Sequence, residues 1–262
     1  MQSLRTAEAS TFEGVRFVLT DMDETLTYKG RLAAATYHAL ERLQQSGVTV
    51  LPVTAAPAGW CDQMARFWPI DGVIGENGGL FFRRTEAAHE LERSFWHADR
   101  DRQMAQDRLH HIALKLQRAK PALRFADDQP FRQTSIAFAL PKEDGAQAAI
   151  LQALRAEGAD ATINNLWILG WLGGYDKLSM ARRILLDQYA LDIDKDADAV
   201  LYVGDSANDA PMFSFFRHTV GVSTVIDYLD QIPVPPRWIA HGPGGVGFVE
   251  AAEAILATRG AT

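Results

Sequence analysis

The period of the apolar residues changes several times along the chain, and each change marks a predicted element. Val15 to Thr20 is a short β-prone run that stops at acidic residues, the pattern of a buried strand running into a polar loop. From Leu32, the apolar or small positions 32, 36, 39, 40 and 43 recur at helical spacing, and Gly47 predicts the cap that ends the helix. Val48 to Thr54 is β-prone again, Pro57 suits the first turn of a helix running through Phe67, and Gly72 to Gly75 supplies another short strand. Strand, helix, strand, helix, strand in this order predicts an α/β fold with a parallel sheet wrapped by helices. Ligands of such sheets bind beyond the carboxyl ends of the strands, where both early polar clusters fall.

After Phe82 the pattern changes. Arg83 to Ala119 is charge-rich and reads as largely helical, Thr134 to Leu140 as a strand and Asp144 to Gly158 as a helix. Ala161 to Ile163 and Leu166 to Leu169, separated by Asn164-Asn165, read as a hairpin. Alternation resumes near Gly173: a helix from Asp176 to Tyr189, a strand from Ala199 to Val203, a helix from Pro211, strands at His218 to Val222 and Trp238 to Ala240, and a helix from Gly245 to Ala257. The expected domains are therefore a core of residues 1–83 and 173–262 and an inserted α+β module at 84–172.

Composition adds exclusions. Of 262 residues, 47% are hydrophobic and 23% charged, which is ordinary globular usage. A net charge of −7 without a basic stripe argues against a nucleic-acid partner. Cys61 is the lone cysteine, so it reads as a structural thiol in a reducing compartment and not as a disulfide or zinc ligand. Met1 to Gly14 lacks a leader-like apolar run, and no stretch approaches the ~20 apolar residues of a membrane span. A cytoplasmic protein without a membrane partner is expected.

Candidate chemistry gathers at strand ends. Asp21 and Asp23 are two residues apart just past the first strand, so extended backbone would project both carboxylates to one side. Two carboxylates about 4 Å apart repel by roughly 4 kcal/mol at an effective dielectric near 20, which calls for a cation or a proton. Gly204-Asp205-Ser206-Ala207-Asn208-Asp209 ends another predicted strand and offers hard oxygen ligands suited to magnesium, with no His/Cys cluster to favour zinc. Either motif alone reads equally well as helix caps and solvated turns, and their joint presence favours a site. Thr54, also at a strand end, could hold a phosphate oxygen. Lys177 opens a helix, where positive charge is unfavourable to the helix dipole, so a role balancing phosphate and carboxylates explains it better.

In chain order, Asp-x-Asp-x-Thr, a strand-terminal Thr, a helix-initial Lys and Gly-Asp-x-x-Asn-Asp resemble the four motifs of the haloacid dehalogenase (HAD) superfamily, over residues 15 to 250. The place of the insert and the run Glu76-Asn77-Gly78-Gly79 resemble the capped branch holding Cof-type, sucrose-phosphate and mannosyl-3-phosphoglycerate phosphatases. The resemblance implies a Rossmann-like core with an α+β cap, and Mg²⁺-dependent hydrolysis of a small phosphorylated metabolite such as a sugar phosphate. Asp21 would form an aspartyl-phosphate, and Asp23 would protonate the leaving oxygen and then activate water. Thr54 and Lys177 would bind the phosphoryl group. Mg²⁺ would be held by Asp21, the Asp23 carbonyl and Asp205, supported by Asn208 and Asp209. Asn77 and Arg132 are the substrate-contact candidates, while Trp167 and Trp171 read as packing in the cap or at its hinge.

Two positions depart from the family pattern: Glu24 stands where glycine is usual, and Thr54-Ala55-Ala56-Pro57 replaces the common Thr-Gly-Arg. A phosphomutase or phosphotransferase of the phosphomannomutase type, or a non-catalytic metabolite-binding relative, are the alternative readings. These features carry no signal of oligomeric state.

Overall fold

Strand Phe17–Thr20 is buried along its whole length, and its side chains divide between two cores. Val18 joins Val50, Leu201, Val203 and Val220 on the face covered by helices Ala34–Gln45 and Gly244–Leu256. Phe17 and Leu19 join Leu51, Val200 and Tyr202 on the face covered by helix Lys177–Tyr189. A parallel sheet buried on both faces reads as a continuous apolar run for this reason. The computed structural model of the protein describes residues 1–262 apart from 86, 88, 89, 165 and 260–262.

The central sheet has six strands, all parallel, in the order Gln2–Ser3, Trp238–Ile239, His218–Gly221, Val200–Gly204, Phe17–Thr20 and Thr49–Pro52. Registers Thr20↔Val203 and Thr20↔Pro52 bring the carboxyl ends of the last three strands level. The loops that carry Asp21, Asp205 and Thr54 therefore leave the sheet side by side. A single parallel bridge, Val53↔Ile74, links this sheet to an antiparallel one made of Val73–Gly75, Leu80–Arg84 and Leu91–Phe95.

Helix Ala34–Gln45 buries Thr36, Ala39, Leu40 and Leu43, and it ends where Gly47 takes φ +79 and donates its N–H to the Gln44 carbonyl at 3.0 Å. The left-handed conformation is why glycine sits there. Helix Lys177–Tyr189 starts with a capping box in which Asp176 accepts the Ser179 N–H and Ser179 Oγ accepts the Asp176 N–H.

The structure differs from the sequence reading in three places. The stretch expected to be largely helical from Arg83 begins with strand Leu91–Phe95, because Leu91 and Phe95 pack on the core while Arg93 and Glu92 pair with neighbours across the sheet edge. The polar segment before Gly14 contributes the edge strand Gln2–Ser3 and buries Leu4 and Phe12, two isolated apolar residues with no period to announce them. Thr27–Tyr28 and Arg31–Leu32 form a small hairpin that turns through Lys29 and Gly30, both at positive φ.

The intervening segment builds its own core. Strands Asp160–Ile163, Trp167–Trp171 and Ser135–Ala139 form an antiparallel sheet. Helices Asp99–Ala119 and Ala146–Ala156 cover it through Leu109, Ile112, Leu116, Ile150 and Leu154. Asn164 accepts the N–H groups of Leu166 and Trp167 in the hairpin turn, while Asn165 lies outside the described residues. The two connections to the central sheet run together: Trp96 Nε1 donates to the Gly173 carbonyl at 3.1 Å, and His97 Nε2 lies 2.8 Å from the Leu172 carbonyl. Trp171 stacks on Tyr175 and donates its indole N–H to the Tyr175 carbonyl at 2.8 Å. Among the described residues, no helix is long and apolar enough to cross a membrane.

Candidate active site

Beyond the level strand ends, four ionisable side chains meet in the interior. Lys177 Nζ lies 3.0 Å from Asp21 Oδ1 and 2.7 Å from Asp209 Oδ1, and all three residues are buried. One carboxylate oxygen each from Asp21, Asp205 and Asp209 falls within 4.8 Å of the others. The cluster thus holds three carboxylates and one ammonium.

The partners of each carboxylate differ, and the difference assigns their roles. Asp209 is saturated: Oδ1 accepts from Lys177 and from the Tyr202 hydroxyl at 2.5 Å, and Oδ2 accepts the N–H groups of Asp205 at 3.0 Å and Ser206 at 3.1 Å. It orients the lysine and shapes the loop. Asp205 accepts from the Thr25 hydroxyl at 2.8 Å through Oδ1, while its buried Oδ2 has no partner. A buried carboxylate oxygen left without a donor is costly, and a cation is the ordinary remedy. Asp21 has one oxygen on Lys177, and Asn208 Oδ1 accepts from Ser206 Oγ at 2.8 Å.

Electrostatics records the same surplus. Burial pushes the Asp21 carboxyl up to about 7; Lys177 opposes this, and Asp209 and Asp23 add to it. Burial likewise raises Asp23 to about 6, again opposed by Lys177. Asp205 is held well above the carboxylate range by burial and by Asp21 and Asp209. Burial disfavours the Lys177 charge, but Asp209 and Asp21 outweigh it and keep the ammonium above the ordinary lysine range. Hard oxygen donors, excess negative charge and an unpartnered oxygen fit a divalent cation such as Mg²⁺ held by Asp21 and Asp205.

Asp21, Asp23, Ser206 and Asn208 line a small recess with Ala55, Asn164 and Leu166, so the hairpin turn of the intervening segment closes over the carboxylates. Thr54 precedes that wall, is fully buried, and accepts the Ala56 N–H at 3.0 Å, which leaves its hydroxyl proton to be donated. Asn77 is buried in a left-handed conformation, donates its N–H to the Thr54 carbonyl at 3.0 Å, and has an unpartnered Nδ2. Arg132 lines the cavity that continues from Asp23, with its donors committed to Asp128, the Ala55 carbonyl and Ser135.

Glu24 takes φ +58, the conformation in which glycine costs least, and uses its side chain locally: Oε1 accepts the Lys29 N–H at 2.9 Å at the tip of the small hairpin.

Sequence reasoning did not assign Thr25, Tyr202, Glu76 or Asp128. Tyr202 carried a usable signal, a phenol inside an otherwise apolar strand two residues before Gly204-Asp205. Glu76 belonged to the run Glu76-Asn77-Gly78-Gly79, yet nothing signalled its partners, because three of its five donors are backbone N–H groups and four of the five come from Gln133, Thr134 and Ser135, far along the chain.

No family model matches the chain, and no curated protein matches it in sequence. Solved structures do match in shape. A protein from Thermoplasma acidophilum (0175) is 20% identical with a TM-score of 0.70, covering 92% of this chain and 99% of that one. A phosphatase of the haloalkanoate (HAD) enzyme superfamily from Bacteroides thetaiotaomicron is 16% identical with a TM-score of 0.66, covering 97% of each. The sucrose-phosphatase of Synechocystis sp. PCC6803, solved with sucrose and phosphate, is 14% identical with a TM-score of 0.64, covering 91% and 97%. At these identities the likeness establishes a shared fold across nearly the whole chain, including the intervening segment.

Proposed function

We propose that this protein is a HAD-type phosphomonoesterase that uses Mg²⁺ and hydrolyses a small phosphorylated metabolite through an aspartyl-phosphate at Asp21. The observation that carries the reading is the pairing of an orphaned Asp205 oxygen with an Asp21–Lys177–Asp209 chain at level strand ends. A phosphoryl group brings negative charge and needs a cation on each side; Lys177 supplies one and the unpartnered oxygen marks the place of the other. The shape shared with a sucrose-phosphatase and with another HAD phosphatase supports the same chemistry.

In the first step an Asp21 carboxylate oxygen forms a bond to phosphorus as the ester P–O bond breaks, and the departing alkoxide takes a proton from Asp23. In the second, the Asp23 carboxylate removes a proton from water, whose oxygen attacks phosphorus and releases Asp21 and inorganic phosphate. Lys177 steadies the transferring group, with Asp209 and Tyr202 fixing its ammonium. Thr54 donates its hydroxyl proton to a phosphoryl oxygen. When bound, Mg²⁺ would neutralise developing charge on the phosphoryl oxygens. Within the expected module 84–172, the part between the two connections, residues 98–171, would act as the cap that excludes water from this step, since Leu91 and Phe95 pack on the core.

Phosphate release from an aryl phosphate and a metabolite panel, with Mg²⁺ and with chelator, tests the reading. Activity is expected with Mg²⁺ and is expected to disappear in Asp21→Asn. Isomerised hexose phosphate without free phosphate would instead make the protein a mutase.

A further inference from the structure

Four charged residues, Asp23, Asp127, Asp128 and Arg132, line the cavity where the leaving group would sit, and only one of them is a cation. The cavity continues from Asp23 between the core residues Ala55, Pro57 and Trp60 and the intervening segment's Asp127, Arg132 and Trp167, and encloses about 100 Å³. That is well below the roughly 300–1,000 Å³ of sites for drug-sized ligands, so it suits one sugar ring or less.

Arg132 is not free to receive a second anion. Its Nε and Nη2 bind Asp128 at 3.0 and 2.7 Å, its Nη1 donates to the Ala55 carbonyl at 3.1 Å and Ser135 Oγ at 3.2 Å, and its side chain is 1% exposed. With Asp128 it forms a neutral, buried fork. Asp127, the residue before Asp128, is exposed, and its carboxylate makes no hydrogen bond or ion pair among the described residues. Beside Asp23 and the Asp128–Arg132 pair, the cavity lining therefore carries one further negative charge without a partner, that of Asp127. Two indole rings line the same cavity: Trp60 is 45% exposed and packs on Phe131 with ring centres 5.0 Å apart, and Trp167 comes from the intervening segment. Aromatic faces beside a carboxylate suit an ammonium group.

We infer that the preferred leaving group is a small, amine-bearing alcohol or amino sugar, with Asp127 as the partner of its ammonium, and that esters carrying a second anion are selected against. This deepens the phosphatase reading and rests on it, and it concerns the part of the same cleft that would hold the leaving group. Discrimination comes from repulsion as much as from attraction.

The test compares glucosamine phosphate, glucose phosphate and phosphogluconate, with phosphoethanolamine, glycerol phosphate and phosphoglycerate as a smaller series. kcat/KM is measured by phosphate release, and binding by calorimetry on Asp21→Asn with Mg²⁺. An exposed ion pair supports about a fivefold preference, so amine over neutral and neutral over acid should each differ by about that factor. Asp127→Asn should remove the amine preference, and Asp127→Lys should turn it towards the acid esters, with melting temperatures unchanged as the control for folding. Turnover with the acid esters best, or with no order by charge, overturns the inference and leaves the phosphatase reading standing. Ordered binding without turnover of any ester by the wild type supports the charge inference and sinks the phosphatase reading. Absence of binding by every ester overturns both.

Discussion

Two of this protein's buried carboxylate centres are built on opposite principles. Glu76, fully buried at the end of strand Val73–Gly75, accepts five hydrogen bonds: from the Ala58 N–H at 3.0 Å, the Gln133 and Thr134 N–H groups at 2.8 and 2.9 Å, the Thr134 hydroxyl at 3.0 Å and the Ser135 hydroxyl at 2.6 Å. Its acceptor capacity is filled by the protein. The Asp21–Asp205–Asp209 centre has one buried oxygen with no donor and more carboxylates than cations. A filled centre is complete as folded; an unfilled one is arranged for something that arrives. Glu76 joins the first turn of helix Ala58–Phe67 to the start of strand Ser135–Ala139, so it pins the intervening segment to the core beside the cavity. The chain accepts left-handed conformations at Glu76 and Asn77 to place it, each costing on the order of 1 kcal/mol or more. It also needs glycine at Gly79, where a Cβ would lie 2.0 Å from Thr134 Oγ1.

The largest effect that separates the two centres is on turnover. Asp21→Asn removes the proposed nucleophile and should lower kcat by more than about a thousandfold in a phosphate-release assay, with the fold retained by circular dichroism. Glu76→Gln should lower stability instead. The amide turns one acceptor into a donor facing other donors, and each buried group left unpaired costs about 1–3 kcal/mol, so a loss of roughly 3 kcal/mol is expected by urea titration. A melting curve unchanged in Glu76→Gln would show that the five bonds do not hold the two parts together.

Much of this was legible in the sequence, and for physical reasons. The inner strands are buried on both faces, so their apolar runs stand out. Gly47 marks a helix end because only a left-handed residue fits there. Asp21, Asp205 and Lys177 are legible as candidates because each sits at a boundary between an apolar run and a polar loop, where register places it at the sheet's carboxyl edge. The partners of Glu76 were not legible, since its donors are mostly main-chain groups and four of its five bonds come from residues 57–59 positions away. Arg132 stood out as a cation near a strand, yet its commitment to Asp128 depends on a turn that no periodicity announces. Leu4 and Phe12 are core residues without a pattern, placed by the edge strand they accompany.

Cation addition gives the next effect. Mg²⁺ binding to the folded state alone stabilises it by about 2.7 kcal/mol at a hundredfold excess over Kd, so thermal melting should shift upward with Mg²⁺ and return with chelator. Asp205→Asn should abolish that shift, whereas a Glu76 variant should keep it. A full Mg²⁺ shift in Asp205→Asn would place the cation elsewhere.

The smallest expected effect is on the pH dependence of the chelated protein, where the unfilled centre alone should show itself. Burial raises Asp21 to about 7 and lifts Asp205 well above its ordinary range, so between the unfolded carboxylate value near 4 and about 7 the folded state binds more protons than the unfolded one. Stability from this centre is then greatest at the acid end of that window and is lost as pH rises through about 7. His218 works the other way: burial holds it below its ordinary value, so its protonation favours the unfolded state as pH falls through about 6.5. Comparing wild type with Asp205→Asn cancels the histidine, which both proteins share. The gain in melting temperature from Asp205→Asn, measured in chelator, should be larger at pH 7.5 than at pH 5.5, because the negative charge crowding this centre grows as Asp21 loses its proton near pH 7. Equal gains at both values would mean that Asp205 is already paired, and the contrast between a filled and an unfilled centre would fail.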